Sequence, residues 1–210
     1  MTATWLSFDI EATGPIPGLH SMLSLGIEAF ADDDEFTPLG TFEVNIRELD
    51  YCVWDSDTHA WWHDAQLTAA LDVTTSNPKE PRDAMERMMA FLEELPRGPH
   101  IWAAYPATFD MPFVRYYAQR FVSKDWTGFY GDPMERIACF DMASYAMQLM
   151  QVGYHDVSKK RMPKSWTDYQ NPCPHVALND AKEQGHLLRE MLRAGRAGPR
   201  EGVLHHPAVR

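Results

Sequence analysis

The sequence lacks several features that would place it in common protein classes. It has three cysteines in 210 residues, namely Cys52, Cys139 and Cys173, and none of them forms a C-x-x-C pair. Neither a disulfide framework nor a zinc ribbon is therefore predicted. There is no basic segment followed by an apolar one at the N-terminus, and no apolar run long enough to span a bilayer. We expect a cytoplasmic protein with no membrane partner.

The sequence also lacks an excess of basic residues. Its 19 lysines and arginines are outnumbered by 30 aspartates and glutamates, which gives a net charge of −11. Because phosphate neutralisation supplies most of the affinity of proteins that coat nucleic acid, tight coating of long duplex is disfavoured. An acidic protein can still process nucleic acid where metal ions neutralise the scissile phosphate. The absence of a Walker or Rossmann glycine pattern argues against a nucleotide-cofactor enzyme.

What is present is a succession of strand and helix patterns in one domain, residues 1–195, followed by a tail at 196–210. Strands are predicted at Thr4–Asp9, Met22–Ala31, Phe36–Asn45, His100–Ala104 and Ile137–Phe140. Helices are predicted at Thr58–Gln66, Pro81–Leu95, Thr108–Phe121, Met142–Met150 and Asn179–Arg193, with a long loop over Gln151–Pro174. Thr108 and Asn179 are the expected N-caps. This order predicts an α/β sheet covered by helices, with sites beyond strand ends and at helix N-termini.

The first candidate site residues are Asp9 and Glu11, at the end of the first strand pattern. Residues two apart on a strand point the same way, and two such anions repel one another unless a cation lies between them. Hard oxygen ligands suit Mg²⁺ or Mn²⁺. An acidic chain contains such a triplet by chance, so the pair alone is weak support for a metal site.

Three further candidates follow along the chain. Asp110 falls in the first turn of a predicted helix, where a negative charge also simply stabilises the helix dipole. Asp180 opens the last helix, and His175 lies on the preceding loop, where a histidine can titrate near neutral pH. Taken singly, each of these positions has an ordinary structural explanation.

The Asp9/Glu11 pair, Asp110 and the His175/Asp180 pair follow one another along the chain in an order that resembles the motifs of the DEDDh (DnaQ-like) exonuclease superfamily. The resemblance covers roughly residues 4–193. The matching stretches are Phe8–Gly14, Thr108–Phe113 and His175–Ala181. The resemblance implies a ribonuclease-H-like fold whose mixed five-stranded sheet has three antiparallel strands and then parallel ones. It also implies two divalent ions, Mg²⁺ or Mn²⁺, on Asp9, Glu11, Asp110 and Asp180, with His175 as general base. A sister class carries a tyrosine where this chain has Val176, so the histidine variant fits.

The activity that the resemblance implies is hydrolysis of single-stranded nucleic acid from its 3′ end, with release of nucleoside 5′-monophosphates. The segment Thr58–Leu71, with Trp61, Trp62 and Gln66, is similar to the DexA-like and RNase AS-like exonucleases, which favours RNA over DNA. Packing of the two tryptophans against the core explains that segment equally well. Relatives are commonly homodimers, so a homodimer is also allowed.

Substrate contacts are expected at five positions near these motifs: Thr13, Gly14, Met22, Leu23 and Phe109. Core packing is the competing explanation for the apolar ones. Lys159, Lys160, Arg161 and Lys164 form the dense basic cluster of the long loop and are candidates for phosphate contacts. Many relatives have an asparagine where this chain has Pro106, so hydrogen bonding near Asp110 is expected to differ.

Three alternatives remain open from the sequence. The chain could be a non-catalytic binding module that keeps the exonuclease fold. A zinc site could use Cys139, His155, Cys173 and His175, although their spacing fits no familiar pattern. Asp141 could replace Asp110 as the third acidic residue, although capping of the following helix is the better explanation.

Overall fold

A computed structural model describes residues 2–123 and 139–198 of the protein. The strands are β1 (Thr4–Ala12), β2 (Met22–Ala31), β3 (Pro38–Asn45), β4 (His100–Ala104) and β5 (Cys139–Asp141). The helices are α1 (Ser56–Trp62), α2 (Thr68–Thr74), α3 (Pro81–Glu94), α4 (Ala107–Phe121), α5 (Met142–Met150) and α6 (Ala177–Arg196). The strand predictions for β2 and β4 and the helix prediction for α5 are confirmed at both ends.

The five strands form one mixed sheet in the order β3-β2-β1-β4-β5. Strands β1, β2 and β3 are antiparallel, whereas β4 and β5 run parallel to β1. The predicted fold class is confirmed. Pairing of β1 with β4 ends at Ser7 and Ala103, so the second half of β1, with Asp9 and Glu11, extends beyond the end of β4. Functional sites of α/β sheets lie at such strand ends.

The two faces of β1 differ in chemistry. Alternate residues such as Phe8 and Ile10 belong to the apolar core beneath α3 and α4. The residues between them, including Ser7, face α6, and the Ser7 hydroxyl donates to the Ala181 carbonyl at 2.8 Å. Because strand side chains alternate between faces, Asp9 and Glu11 point towards α6 as well. One strand therefore serves both the hydrophobic core and the candidate site.

Gly26 on β2 allows the first turn of α6 to lie directly on the sheet. A Cβ built at this position would be 2.2 Å from the backbone nitrogen of Leu178, far inside any real contact. Gly26 is the register partner of Asp9. The absence of a side chain here therefore brings the N-terminus of α6 close to the β1 carboxylates.

The N-caps predicted at Thr108 and Asn179 are wrong, because each of these two helices starts earlier than its sequence pattern indicates. Helix α4 begins at Ala107, whose amide donates to Asp141 Oδ2 at 3.0 Å. Helix α6 begins at Ala177, and the Asn179 side chain donates instead to the Cys173 carbonyl at 3.2 Å. In α4 a distant side chain thus satisfies the first helical amide, which local sequence patterns cannot indicate.

The C-terminal end of α6 and the helices after β3 also differ from the predictions. Helix α6 continues through Gly195 to Arg196, whose guanidinium binds the hairpin loop at Asp32 and at the Asp33 carbonyl. The helix predicted at Thr58–Gln66 ends earlier, because α1 stops at Trp62, and α2 follows at Thr68, beyond the predicted range. Helix α1 starts two residues before Thr58 because Asp55 caps it, accepting from the Thr58 amide at 2.9 Å.

Other bounds change by a few residues. Strand β1 continues beyond Asp9 to Ala12 because it pairs with β2 as far as Met22. The predicted long loop contains three short 3₁₀ turns and buries Met162 and Trp166 in a second core against α5 and α6. Residues 137–138 of the predicted fifth strand and 199–210 of the predicted tail lie outside the described residues. No helix of the described chain is both long and apolar enough to cross a bilayer.

Candidate active site

Asp9 is held in place by a side chain from α6. Gln184 Nε2 donates to Asp9 Oδ1 at 2.6 Å, and Gln184 Oε1 accepts from the Tyr105 amide at 2.9 Å. Gln184 is buried, with 3% of its surface exposed. It links α6, the end of β4 and the first carboxylate. Sequence reasoning missed it, although its position one helical turn after Asp180 places it on the same helix face.

Asp110, in the first turn of α4, is 3% exposed and is bonded to β1 rather than to solvent. Its Oδ1 accepts from the Ile10 amide at 3.1 Å. Ile10 lies between Asp9 and Glu11, so this bond places the third carboxylate beside the first two. Stabilisation of the helix dipole alone does not account for such a buried position.

Asp180 is held by the loop that precedes α6. Its Oδ2 accepts from the His175 amide at 2.9 Å, and its Oδ1 accepts from Asn171 Nδ2 at 2.5 Å. Asn171 also donates to Glu183 Oε2 at 2.9 Å, and Lys159 Nζ donates to Glu183 Oε1 at 2.7 Å. Asn171 and Glu183 were not predicted from the sequence. Their positions depend on how the loop folds back over α6.

His175 lies beside Glu11 and Asp180. One potential ligand atom of each of these three residues lies within 4.8 Å of the other two. His175 has a φ of 66°, in the left-handed region that is uncommon for residues other than glycine. Its ring packs edge-on against Trp61, with 4.8 Å between the ring centroids. Such backbone conformations persist where surrounding contacts over-determine them, often at functional sites.

The electrostatics of the four carboxylates are unusual. Burial raises the pKa of Asp9 and of Glu11 well above the usual range, and the neighbouring carboxylates raise it further. Burial raises the pKa of Asp110 to about 7 and also raises that of Asp180. Four anions desolvated together repel one another, and a multivalent cation removes that repulsion. The oxygen-rich donor set fits Mg²⁺ or Mn²⁺.

A cleft of about 370 Å³ opens next to these carboxylates. It is lined by Glu11, Ala12, Asp57, Thr58, Trp61, Trp62 and Phe109. Trp62 is buried and donates to the Ala12 carbonyl at 3.2 Å, so core packing explains this tryptophan. The rings of Trp61 and Phe109, 43% and 37% exposed, face accessible space. A larger cleft of about 510 Å³ lies along β3, and none of the four carboxylates lines it.

Met22 and Leu23 are buried almost completely, as core residues are. The Met22 amide donates to the hydroxyl of the buried Tyr117 at 2.8 Å. The competing explanation, core packing, therefore describes the observed position of both side chains. Contact of either with a substrate base stays a prediction, and it requires the side chain to move.

Thr13 and Gly14 shape the loop after β1. The Thr13 hydroxyl accepts from the Ser21 amide at 2.8 Å. A Cβ at Gly14 would lie 2.6 Å from the His20 ring, so only glycine fits this close approach. Their proposed substrate contacts are untested. Of the five expected substrate contacts, Phe109 is the one whose exposed side chain lines the cleft.

The competing assignments are poorly supported. Asp141 caps two helices, accepting from the Ser144 amide at 2.7 Å and from the Ala107 amide at 3.0 Å. Its predicted capping of α5 is confirmed, and both of its oxygens are engaged. For the zinc hypothesis, burial raises the pKa of Cys139 to about 12, which disfavours a thiolate ligand. In residues 2–123 and 139–198, neither Cys139 nor His155 joins a group of possible ligands.

The basic cluster and Pro106 also have defined surroundings. Lys159 pairs with Glu183 and Arg161 pairs with Asp156, whereas Lys160 and Lys164 are exposed without an ion pair among the described residues. Pro106 is the N-cap residue of α4, and the hydrogen bond to the nearby Asp110 comes from the amide of Ile10. Because a proline has no amide proton, Pro106 cannot donate a backbone hydrogen bond at this position.

No family model matches the sequence. Over 199 residues the chain is 24% identical to the 3′-5′ DNA exonuclease Cap18 of Escherichia coli. The aligned region covers 88% of this chain and 89% of that protein.

Two solved structures share the fold. The nuclease domain of 3′hExo, a DEDDh family member bound to rAMP, has a TM-score of 0.64 and 13% identity over 91% of this chain and 92% of its own. Exonuclease I of E. coli in complex with a dT13 oligonucleotide has a TM-score of 0.64 and 13% identity over 93% of this chain and 42% of its own. The chain therefore has the fold of these exonucleases, which confirms the predicted ribonuclease-H-like fold.

Proposed function

We propose that this protein is a metal-dependent 3′–5′ exonuclease that hydrolyses single-stranded nucleic acid from the 3′ end and releases nucleoside 5′-monophosphates. One observation carries the proposal. Asp9, Glu11, Asp110 and Asp180, which come from one strand and two helix N-termini, converge in one desolvated cluster. His175 lies at the edge of that cluster. A non-catalytic module has no need to maintain such mutually repulsive groups.

Two divalent ions, Mg²⁺ or Mn²⁺, are the cofactors that this donor set fits. Asp9, Glu11 and Asp180 would hold them, and Asp110 would complete or orient the set. When bound, the ions supply Lewis-acid polarisation of the phosphate and lower the pKa of a water nucleophile. The carboxylates would bind these ions and be neutralised by them, while Gln184 holds Asp9 in place through its bond at 2.6 Å.

His175 is the proposed general base. One of its ring nitrogens takes the proton of the attacking water, a contribution that is typically about 10²–10⁴-fold. Three contacts restrict its movement: its amide donates to Asp180, its carbonyl accepts from the Thr74 hydroxyl at 3.3 Å, and its ring packs on Trp61. The imidazole is thus kept beside Glu11 and Asp180, where proton transfer is needed.

The cleft beside the cluster is the proposed site of the 3′-terminal nucleotide. The exposed rings of Trp61 and Phe109 provide stacking surfaces for an unpaired base, while Glu11 lines the same cleft. Stacking requires an unstacked terminal base, which favours single strands. The predicted preference for RNA is untested, and the E. coli relative is named a DNA exonuclease. A homodimer and a cytoplasmic setting also stay predictions.

The test is digestion of 5′-labelled single-stranded RNA and DNA with Mg²⁺ or Mn²⁺, with the Asp9→Ala variant as the control. We expect a ladder that shrinks from the 3′ end and disappears in the variant, and the relative rates rank RNA against DNA. Equal activity in the wild-type protein and Asp9→Ala, or cleavage at internal positions, would refute the proposal.

A further inference from the structure

An exposed aromatic surface lies beyond the cleft and takes no part in the chemistry described above. It comprises Tyr51, Val53, Tyr116 and Arg120, with Leu19 at its border, and is here called the aromatic track. Tyr51 is 52% exposed and Val53 is 56% exposed. Single exposed apolar residues need no explanation, but a contiguous group of them commonly marks a binding surface.

The track is built from three chain segments that hold one another in place. The hydroxyls of Tyr51 and Tyr116 lie 3.2 Å apart, which joins the segment after β3 to α4. The Val53 amide donates to the Leu19 carbonyl at 3.0 Å, which joins the same segment to the loop after β1. The backbone of that loop packs on the Tyr116 ring at Gly18, where a Cβ would lie 3.1 Å from the ring. The rings are therefore arranged before any ligand arrives.

Arg120 adds a positive charge to the track. Its guanidinium carbon lies 5.0 Å from the ring centroid of Tyr51 and 5.9 Å from that of Tyr116. These contacts orient the cation over the rings. In a chain with a net charge of −11, an exposed arginine held among aromatic rings suits a ligand that offers both an anion and a flat apolar surface. A nucleotide has these two features.

The track continues from the cleft along one face of α4. Phe109 lines the cleft, and Tyr116 and Arg120 follow it by seven and eleven residues, which keeps all three within about 20° of one helix face. Along the axis they lie about 10 Å and about 16 Å from Phe109. At the ~3.4 Å per nucleotide of a stacked strand, these distances correspond to about three to five nucleotides.

We propose that the aromatic track binds the nucleotides that precede the cleaved one, so that the enzyme acts on oligonucleotides rather than on dinucleotides. This inference rests on the proposed exonuclease function, and it names the length of single strand that the surface engages. The rings of Tyr51 and Tyr116 stack bases without sequence preference, and Arg120 contacts the backbone phosphates.

The test compares a 12-nucleotide single strand with a dinucleotide. Binding of a fluorescent 12-mer is measured by anisotropy in EDTA, so that it does not depend on cleavage, and kcat/KM is measured for both substrates with Mn²⁺. The variants are Tyr51→Ala, Tyr51→Phe and Arg120→Ala. Arg115→Ala is the matched control, because this exposed arginine on α4 lies about 120° round the helix from Phe109.

We expect Tyr51→Ala and Arg120→Ala to weaken binding of the 12-mer about tenfold and to lower the 12-mer to dinucleotide ratio of kcat/KM by a similar factor. Tyr51→Phe keeps the ring and should bind like the wild type, as should Arg115→Ala. Unchanged 12-mer binding in Tyr51→Ala would overturn the inference. So would a dimer of the wild type that becomes a monomer in Tyr51→Ala by sedimentation velocity. If the wild type cleaves neither substrate, the exonuclease proposal fails, while the 12-mer titration still decides the role of the track.

Discussion

Asp110 and Asp180 occupy the same position in two different helices, yet their surroundings differ. Each lies in the first turn of its helix and points a carboxylate at Asp9 and Glu11. Asp110 is 3% exposed and bonds to the backbone of β1. Asp180 is only half-buried and bonds to Asn171 and to the His175 amide.

The difference shows two ways of placing an acidic residue. Packing of α4 against the sheet fixes Asp110, and burial raises its pKa to about 7. A polar network that reaches Lys159 through Asn171 and Glu183 fixes Asp180, and the amide of His175, the proposed general base, donates to the same carboxylate. The α4 side of the site is therefore enclosed and desolvated, whereas the α6 side is partly accessible to solvent. We expect catalysis to depend more steeply on the α6 side.

The largest expected effect is on the accessible side. Asp180→Ala should abolish cleavage, as should Asp9→Ala, because each removes a proposed metal ligand and leaves the remaining anions without their cation. The measurement is release of nucleoside monophosphate at saturating Mn²⁺, with circular dichroism to confirm that the variants fold. Wild-type rates in Asp180→Ala would disprove its role.

Replacing the proposed base should have a smaller effect. His175→Ala is expected to lower kcat by about 10²–10⁴-fold while metal-dependent cleavage continues, because the metal ligands remain. Single-turnover rates measured beside those of Asp180→Ala would separate the two roles. A His175→Ala variant as inactive as Asp180→Ala would mean that the histidine itself holds a metal ion.

On the enclosed side, Asp110→Asn retains an oxygen that can accept from the Ile10 amide. It should therefore fold normally and lose about 10–100-fold in activity, the usual cost of removing a group that orients a metal ligand. A loss of activity equal to that of Asp180→Ala would show that the two aspartates have the same role and that Asp110 is a direct metal ligand. The same kinetic assay decides between these outcomes.

The buried carboxylates predict how stability depends on pH in the absence of metal. Their pKa values are higher in the folded protein than the unfolded value of about 3.9, so the folded state binds more protons between about pH 4 and pH 7. The free energy of unfolding should therefore fall as the pH rises through this window. Thermal melts in EDTA should give a lower Tm at pH 7.5 than at pH 5.5, and Mn²⁺ should raise Tm more at pH 7.5.

Asp110→Asn is the control for this pH effect, because it removes one of the raised pKa values without changing the shape of the side chain. Its Tm in EDTA should vary less between the two pH values than that of the wild type. Equal dependence in both proteins would show that Asp110 is not a source of the effect.

The smallest effect is expected in the loop before α6. Lys160 and Lys164 are exposed and without ion pairs among the described residues, so replacing both with alanine should raise KM about two- to fivefold and flatten its salt dependence. Lys159→Ala provides a comparison, because it disturbs the contact with Glu183 as well. An unchanged KM in the double variant would exclude phosphate contacts there.

Local patterns were sufficient for most of the fold. Hydrophobic periodicity located Met22–Ala31, His100–Ala104 and Met142–Met150 at both ends, because it reports the strand or helix period directly. It failed at the starts of α4 and α6. At α4 the first residue is helical because of a distant partner, the Asp141 oxygen that accepts from the Ala107 amide.

The sequence by itself determined the order of the strands and of the helices other than α2, the acidic pair on β1 and the positions of Asp110, His175 and Asp180 near helix starts. These features depend on spacing along the chain. Only the tertiary structure decided which groups meet across it. Gln184 bonds to Asp9 across 175 residues, and Met22 is enclosed in the core. The first contact follows from how closely α6 packs on Gly26, and the second from the packing of α4, whose Tyr117 accepts from the Met22 amide.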